Sequence, residues 1–338
     1  RESKALLVGI AYAGFIGLGL SGGMLGVAWP SVRGSFGLSL DAVGALLISE
    51  MVGYLLASFF SGPVVARVGV GKLLLASAVL RMVGLLGYGL APAWWLVVGL
   101  GLLTGLGGGA VDAGLNTYFA TIHSANLMNW LHASFGVGAM LGPILVRVVS
   151  NLGWSWRWGY VIVGLLHALI SLCFGLTLRR WVLVKPQDGR TDAPEEKVRA
   201  IDTLRLPMVW VSIAMFFMFT GVETASGQWT FSLLTEVRSV DANIAGFWTS
   251  VYWGGLTVGR ILFGPVAERV GIDRLSRLAM LGLMCGAGLI WWNAAGLSSF
   301  LGLVLMGLSG SGKSTLLRAV NGLNPVVRGQ VTINDGDW

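Results

Sequence analysis

Apolar residues occupy this chain in long blocks parted by short polar breaks. Runs cover Ala5 to Pro30, Asp41 to Ala66, Leu73 to Pro92, Trp94 to Phe119, Trp130 to Val149 and Gly159 to Leu178. Each reaches or approaches the ~20 residues that an α-helix needs to cross a bilayer. After a charged interval come Pro207 to Glu223, Ile244 to Ala267, Leu278 to Ala295 and a last run starting near Ser299. The pattern predicts an all-α membrane protein with six spans, a break, and an incomplete second set of about four. Composition agrees, with 55% hydrophobic residues, 12% charged and a mean hydropathy of +0.75, where water-soluble domains carry ~25% charge. The first run is longer than the ~7 to 15 residues of a signal-peptide core, so it reads as a retained span.

Most of the 51 glycines lie within the runs rather than clustered in linkers, as expected where small residues let membrane helices approach closely. Cys173 and Cys285 fall in apolar runs, one in each half, and read as two buried apolar thiols with no redox or metal role. The tryptophans that crowd span ends, among them Trp94, Trp95, Trp154, Trp156 and Trp158, read as interfacial anchors.

Lys and Arg set the orientation. The loop after the second span holds Arg67 and Lys72, the interval after the sixth holds seven basic residues from Arg179 to Arg205, and the loop after the eighth holds Arg269, Arg274 and Arg277. The opposite loops carry fewer: Arg33; Arg147 and Arg157; Arg238. The amino terminus is therefore expected in the cytoplasm, in a multi-pass protein of a bacterial-type inner (plasma) membrane. The net charge of +7 is a topology signal scattered over loops, which argues against a nucleic-acid face.

Residues 179–206 mix both charge signs with prolines and lack a long apolar run, predicting a cytoplasmic linker between a six-span bundle, 1–178, and a partial second bundle, 207–306. An internal repeat supports that division. "SGPVVARVGVGKLL" (Ser61 to Leu74) matches "FGPVAERVGIDRLS" (Phe263 to Ser276) when Gly62 is laid on Gly264, a shift of 202 residues. Each copy follows the second span of its half, as in parallel-repeat transporters. The copies place Gly62, Arg67 and Gly69 against Gly264, Arg269 and Gly271. Glycine suits a tight turn and arginine can bond exposed carbonyls of a neighbouring helix end, so these two loops are expected to gate.

The repeated loop resembles that of the major facilitator superfamily, with Ala66 and Glu268 standing before the arginines. The blocks "DAGLNTYFA" (Asp112 to Ala120), "NWLHASFGVGAMLGP" (Asn129 to Pro143), "GVETASGQW" (Gly221 to Trp229) and "FWTSVYWGGLTVGRILFG" (Phe247 to Gly264) resemble its fucose-permease-like sugar transporter branch. The resemblance implies a two-bundle helical transporter rather than an enzyme. The resembled permease uses an acid in its first span for coupling; this first span has none.

Ionisable groups within spans are costly and therefore functional candidates. They are Glu50, Arg81, Asp112, His132, Glu223 at the end of the seventh span, and Arg260. Singly, each could be a packing ion pair or hydrogen-bonded group; together they favour a polar path between bundles. A proton-coupled sugar carrier needs a carboxylate that changes charge, plus amide, indole and imidazole groups for hydroxyls and the apolar sugar face. Asp112 and Glu50 are the coupling candidates, with Asn116, His132, Glu223 and Trp229 on the substrate side. His167, in mid-span, reads as a helix-packing histidine. The expected partners are the lipid bilayer and a small polar solute, a sugar or its like, with a proton as the coupling ion.

One stretch points elsewhere. Gly307, Gly312, Lys313 and Ser314 satisfy G-x-x-x-x-G-K-[ST], the loop that wraps phosphates. "MGLSGSGKSTLLRAVNGLNPVVRGQVTI" resembles the opening of an ABC importer ATPase, with "FLGLVLM" as a buried strand before the loop. That reading makes 307–338 an incomplete ATPase tail and the chain a chimera, with ATP and Mg²⁺ its only implied ligands. An ATPase also needs an acid on a strand for Mg²⁺, and the tail offers just Asp335 and Asp337. The repeat supplies a rival: shifted by 202 residues, "LLTGLGG" (Leu102 to Gly108) falls on "VLMGLSG" (Val304 to Gly310), which assigns Gly307 to a tenth span. No cofactor is expected on that reading.

Overall fold

The computed structural model describes residues 2–121, 125–183, 205–292 and 296–310. Among them are ten α-helices, here α1 (Glu2–Phe36), α2 (Val43–Val68), α3 (Val70–Leu90), α4 (Trp94–Thr121), α5 (Ala125–Asn151), α6 (Trp156–Leu176), α7 (Pro207–Ser232), α8 (Ala242–Val270), α9 (Ile272–Trp291) and α10 (Leu297–Gly310). Each predicted apolar run lies on one of them. Seven, α1 to α7, are long and apolar enough to cross a membrane. α8 and α9 do not reach that apolarity, and α10 is apolar but has only 14 residues.

Several boundaries differ from the hydropathy pattern, most of them by extension, while α3 and α6 stop two residues short of it, at Leu90 and Leu176. Helix α1 continues through Pro30 to Phe36 and α2 through Pro63 to Val68; each proline forfeits one backbone hydrogen bond, a loss that membrane helices tolerate. Helix α7 runs past Glu223 to Ser232 and closes in a π-helical turn, Leu233–Val237. Glu223 therefore stands within the helix, not at its end. Phe300 to Met306, expected as a strand under the phosphate-loop reading, are helical in α10.

The chain divides into two compact units, Arg1–Lys185 with Thr230–Gly254, and Pro186–Trp229 with Gly255–Trp338. In the first, α1 packs on α5, α2 on α4, and α3 on both α4 and α6, around a core that includes Phe15, Leu74, Leu115, Phe119, Leu131 and Phe174. The start of the expected linker joins this core. Trp181 is buried, packs edge-on to Tyr118 and Phe174, and donates Nε1–H to Thr177 Oγ1 at 2.9 Å.

Glycines set the helix spacings. In the α1–α5 crossing, Gly19 and Gly23 face Phe135 and Ala139 while Gly138 and Gly142 face Ile16 and Leu20, so small residues four apart meet on both helices. In the second unit, α9 meets α10 at Gly286 and Gly302, where a β-carbon on either would stand 2.7 Å from the other's carbonyl oxygen.

The repeat is structural as well as textual. Helices α2 and α3 are joined by Gly69 alone, with φ 84° and ψ 155°; α8 and α9 are joined by Gly271 alone, with φ 91° and ψ 142°. Both conformations lie where a side chain is strained. Arg67 and Arg269 are exposed, and among the described residues neither bonds a carbonyl. The α2–α4 crossing, where Gly53 meets Gly105, returns 202 residues later as the α8–α10 crossing, where a β-carbon on Gly255 would lie 3.2 Å from Gly307 Cα.

Two composition-based expectations need correction. Cys285 is exposed and Cys173 half-buried, both as free thiols, so neither is fully enclosed; apolar character in a span also suits a lipid-facing position. Trp94 and Trp156 are core residues, with Trp156 donating to Ser35 Oγ at 2.9 Å, whereas Trp95, Trp154 and Trp158 are exposed as anchors should be.

Candidate functional site

Helix α4 is the backbone of the site, and its glycines decide what reaches it. A β-carbon at Gly105 would stand 2.8 Å from the Glu50 carbonyl carbon, and one at Gly109 3.0 Å from that of Tyr54. This face therefore brings α2 against α4 at backbone contact. A second face, at Gly107 and Gly108, admits Arg81 from α3.

The approach of three helices builds a polar network. Glu50 Oε1 accepts from Tyr88 Oη at 2.8 Å and from Thr104 Oγ1 at 3.1 Å. Arg81, 6% exposed, spreads its guanidinium over three helices. Nε donates to His167 Nε2 at 3.1 Å, Nη1 to the Thr104 carbonyl at 3.2 Å, and Nη2 to Ser21 Oγ. His167 Nδ1 lies 2.9 Å from the Val163 carbonyl, which can only accept. Nδ1 therefore carries the proton, and Nε2 is the acceptor that takes the Arg81 bond, so this histidine is neutral.

One turn along α4, Asp112 is held from two sides. Oδ2 accepts from Tyr54 Oη at 2.5 Å, and Oδ1 from Asn116 Nδ2 at 2.9 Å. The four-residue spacing of Asp112 and Asn116 does put both on one face, as their bond shows. Tyr54 also neighbours Arg81 across Gly108, whose β-carbon position lies 3.0 Å from Arg81 Nη1 and 3.6 Å from Tyr54 Cδ2. Glu50, Arg81, Asp112 and Asn116 thus belong to one neighbourhood.

His132 is half-buried with its ring edge-on to Phe15, centroids 5.8 Å apart. In the second unit, Glu223 on α7 and Arg260 on α8 form an ion pair at 3.1 Å. Trp229 is half-buried on α7. Its neighbour Gln228 is buried, and its amide nitrogen, Nε2, has no hydrogen-bond partner among the described residues, an unused donor for a ligand. Gly62 and Gly264 lie within α2 and α8.

Sequence reasoning missed Tyr54, Tyr88, Thr104 and Ser21, and read His167 as a packing histidine without its Arg81 partner. None is charged, and their signal lies in the glycine register of α4 that selects which residues of α2 and α3 face it. It also missed a clamp in the first unit. Arg33 pairs with Glu236 at 3.0 Å, and Arg147 donates to Asn243 Oδ1 at 2.9 and 3.1 Å, tying the π-turn and the start of α8 to the ends of α1 and α5. Arg157 caps α3, donating to the carbonyls of Gly89 and Ala91 at 3.2 and 2.7 Å.

The phosphate-loop pattern is divided. Gly307 is buried within α10 against Gly255, so its backbone N–H is in a helix, not open to wrap a phosphate. Gly312, Lys313 and Ser314 lie outside the described residues, as do Asp335 and Asp337.

A family model described as Major Facilitator Superfamily matches residues 11–325, and so runs through the stretch read as an ATPase opening. Bypass of stop codon protein 6 of Saccharomyces cerevisiae is 26% identical over 276 residues, 75% of this chain and 56% of that protein. Sodium-dependent glucose transporter 1A of Mus musculus is 23% identical over 279 residues, 72% and 64% of the two chains. Glucose/mannose transporter GlcP of Bacillus subtilis is 19% identical over 268 residues, 78% and 66%. The chain thus spans 56 to 66% of the length of these relatives. A crystal structure of a D-xylose-proton symporter superposes with a TM-score of 0.71 over 93% of this chain and 81% of that one, at 15% identity, a likeness of fold.

Proposed function

The chain belongs to the Major Facilitator Superfamily, and on that premise we propose that it is a secondary transporter for a sugar-like or other small polar solute, working by alternating access. The observation that carries this reading is the network of Glu50, Arg81, Asp112 and Asn116 within apolar helices, joined by hydroxyls and amides of the kind that exchange hydrogen bonds with a polyol. Relatives whose names state glucose and mannose transport support the solute class. Within the second unit, Gln228 offers a donor, Trp229 a ring face and the Glu223–Arg260 pair charge. The same reading takes the fucose-permease-like branch as the nearest in character. It places the amino terminus in the cytoplasm of a bacterial-type inner membrane, with 179–206 as the linker and the Gly69 and Gly271 joints as gating loops.

The test is counterflow. Liposomes containing the purified chain and loaded with unlabelled sugar should take up labelled D-glucose, D-mannose, D-xylose or L-fucose faster than protein-free liposomes. No uptake above background for any member of that panel would sink the sugar reading.

A second reading, the nucleotide-binding tail of a chimera, is favoured by the letters of Gly312, Lys313 and Ser314 alone. The helix at Gly307 and the reach of the family model to residue 325 favour the transporter's own tenth helix.

A further inference from the structure

The end of the first unit that carries the Gly69 joint holds positive charge with nothing to meet it. Arg67 stands in the last turn of α2, Lys72 in the first turn of α3, and Arg179 and Arg180 in a 3₁₀ turn, Leu178–Arg180, that follows α6. All four are exposed, and among the described residues none has a hydrogen-bond or ion-pair partner. From Met51 to Gln187 the chain has one acidic residue, Asp112, and Tyr54 and Asn116 hold it inside the unit. A topology signal asks only that such charges lie on one side; the fold goes further and gathers them. Because Gly71 has no side chain, the Leu178 carbonyl touches the first turn of α3, and Trp181 Cβ stands 3.3 Å from where a Gly71 β-carbon would be. Trp181, buried in the core, donates to Thr177 Oγ1, which donates in turn to the Cys173 carbonyl at 2.7 Å, and the Arg180 N–H closes on the Thr177 carbonyl at 2.8 Å. The turn that bears Arg179 and Arg180 is thus pinned beside Lys72. Behind it, Leu165, Leu169, Leu172 and Leu176 are exposed at helical spacing, an apolar stripe along one face of α6.

We propose that this cluster binds an anionic phospholipid, with the headgroup phosphate between Lys72 and the Arg179–Arg180 turn, Arg67 across the joint, and an acyl chain along the leucine stripe of α6. A guanidinium fork matches phosphate oxygens and a lysine adds a point charge, and basic clusters at the membrane end of a helix attract anionic headgroups. A zwitterionic headgroup brings an ammonium group that needs a carboxylate, and the ends of α2, α3 and α6 offer none. A free phosphate would leave the leucine stripe unused. Once bound, the lipid bridges the joint between α2 and α3 and the exit of α6.

The test needs no solute and so stands apart from the transport reading. The purified full chain is reconstituted in phosphatidylcholine nanodiscs, in which phosphatidylglycerol replaces a rising fraction of the lipid, and is melted with tryptophan fluorescence as readout. The melting temperature should rise and saturate with phosphatidylglycerol, and not with phosphatidylethanolamine. Arg179→Gln/Arg180→Gln should raise the half-saturating fraction about tenfold. Trp181→Ala, which keeps all four charges but frees the turn, should raise it as well. The control Arg269→Gln/Arg274→Gln removes the two charges that the repeat lays on Arg67 and Lys72, and it should leave the half-saturating fraction unchanged. If Trp181→Ala does not fold, the exposed arginine pair decides alone. A response as large with phosphatidylethanolamine, one reproduced by inorganic phosphate in pure phosphatidylcholine discs, one weakened equally by the control, or one that never saturates would overturn the proposal.

Discussion

At the scale of single residues, charge in an apolar span was the readable signal and its partners were not. Glu50, Arg81, Asp112, Glu223 and Arg260 stand out because ionised groups are expensive there, and the structure joins all five to named partners within one unit or the other. Thr104 and Tyr88 are ordinary residues of an apolar run until α2 and α3 are known to pack on α4. His167 looked like a packing residue for the same reason, and its role shows only once Arg81 is seen to donate to it. The Glu223–Arg260 pair allows a clean test, with side chains just 10% and 18% exposed. Arg260→Met alone should cost about 3–5 kcal/mol, because Glu223 keeps its charge and loses its ion-pair partner. The double variant Glu223→Leu/Arg260→Met should recover to within about 1 kcal/mol of wild type. Melting temperatures of the single and double variants give the coupling, and an Arg260→Met protein as stable as wild type would show that the pair is structurally idle.

At the scale of helices, hydropathy located every element and misplaced many of its ends. Apolarity reports what the bilayer tolerates, whereas a helix ends where its backbone does. Pro30 and Pro63 each remove a single backbone hydrogen bond and Glu223 removes none, so the helices pass through all three. Glycine content was legible as close packing in general, but the sequence does not say which glycine touches what. Gly105→Ala should destabilise by about 1–3 kcal/mol, since its new methyl meets the Glu50 backbone and must push α2 away. Gly99, on the same helix, has nothing within 4 Å of an added β-carbon. Gly99→Ala should therefore be neutral or gain up to ~1 kcal/mol from helix propensity. Equal losses at the two positions, measured by thermal unfolding in detergent, would refute the close-contact account of α4.

At the scale of the whole chain, the repeat was the most informative pattern. A shift of 202 residues relates the Gly69 and Gly271 joints and the two glycine crossings, so a textual match became a match of backbone conformation. The same shift accounts for Gly307 without a nucleotide: it is the partner of Gly255, as Gly105 is of Gly53. Purified chain should accordingly show no saturable ATP binding by equilibrium dialysis, and Lys313→Ala should change nothing. Binding in the micromolar range that disappears with Lys313→Ala would restore the nucleotide reading.

The crossings of α1 on α5, α2 on α4 and α9 on α10 are made from backbone against backbone. A contact of that kind has no stake in which side chains point into the space beside it. Lineages with this fold are consequently free to rewrite the solute-facing residues without renegotiating how the helices lie. A superposition at a TM-score of 0.71 with only 15% identity is what such a division of labour would leave behind: a frame that keeps its shape around an interior that is free to change its taste.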